Sequence, residues 1–130
     1  MKTTMLFTLA LFLLLLNACT QSSNTNSNQT VLTPLAAQNI AKEGSWIISY
    51  FFDKTNETNT YSNYVFTFGA GGAATAVKSG NPVSGTWSAV EDDDAVKFNI
   101  DFGNVSPLDE LAGDWHIITA TSGEIRLADV

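Results

Sequence analysis

The sequence predicts an all-β protein: a small antiparallel up-and-down barrel of about seven strands, with one short helix near residues 107–112. Three observations predict it. From Gly44 onward, apolar and polar residues alternate with period two, as half-buried strands require. Turn signals rich in Gly, Asn, Asp and Pro recur at the short spacing of barrels and sandwiches. No stretch in this region reads as a long helix, so a parallel sheet with helical crossovers does not fit.

The elements follow in order. Trp46, Ile48, Tyr50 and Phe52 alternate with Ile47, Ser49, Phe51 and Asp53, which gives a first strand with a heavy inner face. Lys54–Thr60 is a polar turn region. Tyr64, Phe66 and Phe68 form the inner face of the next strand, and Gly69-Ala70-Gly71-Gly72 turns it, glycine tolerating positive φ. Residues 73–78 make a weaker strand, turned by Ser79-Gly80-Asn81-Pro82. Val83, Gly85, Trp87 and Ala89 then face inward. The acidic run Glu91–Asp94 is a turn, and Val96, Phe98, Ile100 and Phe102 make the clearest alternation in the chain. Ser106-Pro107-Leu108-Asp109 has the order of an N-cap, a first-position proline and an early acid, so 107–112 is a short helix over one end of the sheet. Trp115, Ile117 and Thr119 face inward on the following strand, and Thr121-Ser122-Gly123 turns into a last one, Ile125–Leu127. The sequence stops at Val130 directly after this strand, so the expected sheet keeps one open edge.

The N-terminus reads as an address and an anchor. Lys2 precedes an apolar run from Met5 to Leu16, broken only by Thr8. About a dozen residues suit the core of a signal peptide and fall short of the ~20 that a membrane helix needs. Leu16-Asn17-Ala18-Cys19 resembles a bacterial lipobox. The resemblance implies cleavage after Ala18, a diacylglyceryl group on the Cys19 thiol and acylation of the new amino group with a chain such as palmitate. Two or three acyl chains make attachment nearly permanent, whereas one anchors only marginally. Residues 1–18 are then a signal peptide, 19–41 a lipidated Cys with a flexible tether, and 42–130 the β domain. Thr20–Thr30 is wholly polar and cannot bury enough surface to offset its ordering entropy. With Thr20 rather than an acid after Cys19, analogy favours the outer membrane, facing the periplasm.

Gly44-Ser45-Trp46 at the opening of the first domain strand resembles the Gly-x-Trp signature of lipocalins. With Tyr64–Gly69, Gly85-Thr86-Trp87, Pro107–Leu111 and Asp114–Ile118, residues 44–130 are similar to the small lipocalin-like lipoproteins of Bacteroidetes-type bacteria, without the last strand those proteins carry. The resemblance implies a closed-floor barrel in which Trp46 packs across the floor. It implies no activity common to the family.

Charge and chemistry narrow the functions. The net charge is −7, and removing residues 1–18 takes away Lys2 and no acid. Nucleic-acid binding needs a basic face and does not fit. One Cys excludes a disulfide framework and any multi-Cys metal site. The sole His, His116, lies two residues after Asp114 but has no nucleophile context, and the 91–94 run lacks the ligand spacing of a calcium loop. The expectation is therefore no enzyme, no cofactor, no metal and no catalytic residue. A barrel of this size either is filled by its own side chains or holds a small apolar ligand. Tyr50, Phe66, Trp87 and Phe98 are the candidates to line such a cavity. The membrane-anchored module would then bind a small apolar ligand or an envelope component. The alternative is a filled structural module that pairs with an envelope protein partner through the open sheet edge.

Overall fold

A computed structural model describes residues 3–9 and 31–130. Cys19, the cleavage point after Ala18 and the polar tether of residues 20–30 lie outside the described residues. The strands are β1 (Thr4–Leu9), β2 (Ser45–Asp53), a two-residue β3 (Thr55–Asn56) folded back on the end of β2, β4 (Tyr64–Phe68), β5 (Ala73–Lys78), β6 (Asn81–Asp92), β7 (Ala95–Asp101), β8 (Gly113–Ala120) and β9 (Glu124–Ala128). Apart from β3, each stave pairs antiparallel with its successor in the chain, and β1 pairs with both β2 and β9. The result is an all-β, closed, up-and-down barrel of eight staves.

The eighth stave corrects the expected open edge. Thr4–Thr8 runs antiparallel to Ala128–Glu124 on one side, and Thr4–Leu9 to Phe52–Trp46 on the other. The stretch Thr4–Leu9, read in the sequence as part of an apolar signal core, thus supplies a barrel strand whose Met5 and Phe7 are fully buried.

Two β-bulges correct the expected alternation. Leu6 faces Tyr50 and Phe7 faces Ile48, so Ser49 is an extra residue in β2. Beyond it the faces exchange. Phe51 is buried at 1% exposure, whereas Tyr50 is 38% exposed and stacks on Phe52 with parallel rings 6.5 Å apart. In β8, Ile117 faces Leu127 and Thr119 faces Arg126, leaving Ile118 as the extra residue. Ala120, not Thr119, then packs on the core. A one-residue insertion exchanges faces because side chains alternate with period two.

The tight hairpins follow turn chemistry. Ser79 and Gly80 (φ 52° and 80°) join β5 to β6, and Asp93 and Asp94 (φ 50° and 59°) join β6 to β7. Both are two-residue turns with positive φ at each centre, the geometry that matches strand twist. The acidic run is therefore a solvated hairpin tip, and Pro82 already belongs to β6.

Helical segments cover both ends. The helix α1 (Pro34–Lys42) starts at Thr33, whose Oγ1 accepts from the Ala36 amide at 3.2 Å, with Pro34 in the first turn. Its buried Ala37 and Ala41 lie against the barrel, and Gln38 Nε2 donates to the Ala89 carbonyl at 2.9 Å. Most of α1 thus falls on residues that the sequence reading gave to the tether. At the other end, the short helix expected over 107–112 is a 3₁₀ turn, Leu108–Leu111, with both leucines fully buried. It begins at Pro107, and the Ser106 cap is not made.

Three tryptophans tie these parts together. The indole N–H groups of Trp46, Trp115 and Trp87 donate to the carbonyls of Ala41, Leu111 and Gly69, each at 2.9 Å. Each large ring is buried while its one polar atom is satisfied. Trp46 fastens α1 to one end of the barrel, and Trp115 fastens the 3₁₀ turn to the other.

Candidate functional site

The barrel interior is built of rings in contact. Phe68 lies 5.1 Å from Phe98 and 5.4 Å from Trp87, and Trp87 lies 5.4 Å from Phe98. Phe66 sits 5.5 Å from Phe7 and 5.9 Å from Phe102. These are packing separations for aromatic pairs. Of the four residues proposed from the sequence to line a cavity, Phe66, Trp87 and Phe98 are thus members of one core. Tyr50 is not among them, because the Ser49 bulge turns it outward. Among the described residues, no buried side-chain nitrogen or oxygen lacks a partner, so no polar group inside the barrel waits for a ligand. Trp46, the candidate floor residue, is fully buried under α1.

A larger concavity lies outside the barrel. Between α1 and the second half of β8, Val31, Leu32, Ala36 and Ile40 face Ile117, Ile118, Thr119 and Ala120 across a cleft of about 640 Å³. Both walls have a local cause. Pro34 and the Thr33 cap start a helix that carries Ala36 and Ile40. The bulge at Ile118 pushes that side chain out of the ladder to 56% exposure. Bulges often re-aim a side chain at a functional position. The volume falls within the range of small-molecule sites. Leu32, Ile40 and Ile118 line this cleft, and the sequence reading did not single them out. The available signals were the Thr33-Pro34 helix start and the consecutive pair Ile117-Ile118, which breaks period two.

A second cleft, about 370 Å³, opens at the end covered by the 3₁₀ turn. Asp53, Glu110, Asp114 and Asp129 line it above Phe51 and Trp115. Among the described residues, no group of three or more His, Cys, Asp or Glu side chains is placed to hold a metal ion. Asp114 meets Lys97 Nζ at 3.7 Å. His116 stands opposite Lys97 on the β7–β8 ladder, outside this cleft. Below it, Tyr61 is 1% exposed, and its hydroxyl donates to the Pro107 carbonyl at 3.2 Å and to Glu110 Oε2 at 3.3 Å. Burial, followed by the charge and hydrogen bond of Glu110, pushes the Tyr61 phenol well above its usual range. Tyr61 is therefore a neutral donor that braces the 3₁₀ turn.

Among the described residues, no helix is long and apolar enough to cross a membrane. No family model matches the chain, and neither the curated proteins nor the solved structures contain a match to it.

Proposed function

We propose that this chain is a lipid-anchored lipoprotein of the cell envelope, a non-enzymatic binding module with a lipocalin-like barrel, held at the periplasmic face of the outer membrane by Cys19. Its ligand is a small apolar molecule of acyl-chain size, and the site is the cleft between α1 and β8. One observation carries the choice of site: the barrel interior is occupied by its own rings, while the external cleft presents Leu32, Ile40 and Ile118 to a ligand. Position supports it as well. Val31, at the cleft, stands about a dozen residues after Cys19, and a linker of that length reaches roughly 20 Å on average. The cleft therefore lies within reach of the bilayer surface, where apolar ligands are concentrated.

Two measurements test the two halves of this reading. Cys19→Ser releases the protein from membranes on fractionation, and continued retention of that variant overturns the lipid anchor. The full chain binds a fluorescent fatty acid with micromolar affinity, and Ile118→Asp weakens binding at least about tenfold by placing a charge in the apolar wall. Equal binding by wild type and Ile118→Asp overturns the cleft as the site. Because Ile118 is largely exposed, the substitution leaves the barrel folded, which circular dichroism verifies.

A further inference from the structure

β1 sits in a slot one strand wide. Its backbone pairs with β2 from Trp46 to Phe52 and with β9 from Glu124 to Ala128. Met5 and Phe7 fill the core beneath it, and Phe7 meets Phe66 and Phe68 edge-on at 5.5 and 5.7 Å. Leu6 and Thr8, at the alternate positions, are only partly buried. The slot therefore selects an extended segment with bulky apolar side chains at two positions two residues apart, running antiparallel to both of its neighbours.

Signal cleavage after Ala18, part of the lipoprotein reading on which this inference rests, takes β1 away with residues 1–18. Two strand edges and the faces of Phe66 and Phe68 then lose their cover at one place. The geometry points to a strand-acceptor site: the mature domain is completed in trans by an extended apolar–x–apolar segment of an envelope protein, inserted between β2 and β9. The tether cannot fill the gap, because Thr20–Thr30 holds no bulky apolar residue. A second mature copy is a poor occupant. It has lost its own β1, and its remaining strands are already staves of its own barrel. Addition of a strand to paired edges gives affinity through the main chain and selectivity through the alternate side chains.

The experiment compares the full chain with the mature chain, residues 19–130 carrying Cys19→Ser, and uses the heptapeptide of residues 3–9 as the probe. Hydrogen exchange of edge amides in β2 and β9 is expected to be at least about tenfold faster in the mature chain and to slow again when the peptide is added. A peptide with Met5→Asp and Phe7→Asp is expected to do nothing. If the mature chain does not fold alone, the peptide restores its near-ultraviolet circular dichroism. Edges as protected in the mature chain as in the full chain, or a mature chain that ignores the peptide whether folded or not, overturn the proposal. A mature chain that protects its edges only as a dimer assigns the slot to a second copy and overturns the partner. Mass analysis of the exported protein separates this failure from that of the underlying reading. If Met1 is retained, the slot is never vacated and the cleavage reading falls as well. If Cys19 is the N-terminus and the peptide has no effect, only the acceptor site falls.

Discussion

Truncating Phe98 tests whether the barrel is filled. Phe98 is fully buried, with Phe68 perpendicular to it at 5.1 Å and Trp87 at 5.4 Å. Phe98→Ala removes a ring that both neighbours use and leaves a void that a rigid barrel cannot close. Changes of this kind cost about 3–5 kcal/mol, of which each lost aromatic pair accounts for about 0.5–1.5 kcal/mol. Against a total stability of about 5–15 kcal/mol for a domain, this is a large fraction. At roughly 4–8 °C per kcal/mol for a domain of this size, the midpoint falls by at least about 12 °C. The assay is thermal and urea unfolding of the full chain, followed by near-ultraviolet circular dichroism, which reports aromatic packing. Phe98→Leu keeps most of the volume and is expected to cost less than about 1.5 kcal/mol. The alanine void is dry and apolar, so benzene stabilises Phe98→Ala and leaves the wild type nearly unchanged. A loss below about 1 kcal/mol, or equal benzene effects on both proteins, would refute the filled interior and reopen the barrel as a ligand cavity.

Three further outcomes follow from single contacts. A Cβ at Gly85 would overlap the Asp101 carbonyl oxygen and the Phe102 ring. Gly85→Ala therefore destabilises by about 1–3 kcal/mol, while Gly123→Ala, with nothing within 4 Å of its Cβ, stays within about 0.5 kcal/mol in the same denaturation series. Tyr61 has a folded pKa above its unfolded value of about 10. Below that value its contribution is fully present. As pH rises past about 10 the unfolded chain ionises first, so stability is lost, and an ultraviolet titration should show the Tyr61 phenol ionising only with unfolding. Ionisation of Tyr61 in the folded protein near the ordinary phenol pKa would contradict its burial. Trp46→Phe leaves the Ala41 carbonyl without its indole donor. It is expected to cost about 1–3 kcal/mol and to speed hydrogen exchange in α1 more than in β7.

The alternating strands were legible because their two faces differ in chemistry. β4 and β7 carry Phe66, Phe68, Phe98 and Ile100 inward as read, and the short helical turn at Leu108–Leu111 falls inside its expected span. Failures began where one residue is inserted. Ser49 and Ile118 look like ordinary outer positions in a period-two string, and only pairing with a neighbour reveals them as extra. A local pattern cannot encode that, since a bulge is defined by two strands. The α1 helix escaped for a different reason. Its fully buried contacts with the core are two alanines, which carry little hydrophobic signal, and it is held by the Trp46 indole just after it and by Ala89 far along the chain. The candidate site is the product of these two hidden features, a helix with a weak pattern and a bulge, so the aromatic residues visible in the sequence drew attention to the core instead.

Thr4–Leu9 was illegible in a third way. A nearly uniform apolar run satisfies any period, so the same residues meet the demands of a signal core and of a barrel stave, and periodicity cannot choose between them. The two roles have opposite consequences for the fold. As a stave, the segment buries Met5 and Phe7 completely, a gross contribution of roughly 3–6 kcal/mol from the two side chains. That is comparable to the whole net stability of a marginal domain. Under the proposed cleavage after Ala18, loss of the segment would therefore change more than location. It would convert a closed barrel into a seven-stave sheet whose uncovered edges and rings favour a strand that replaces the lost one.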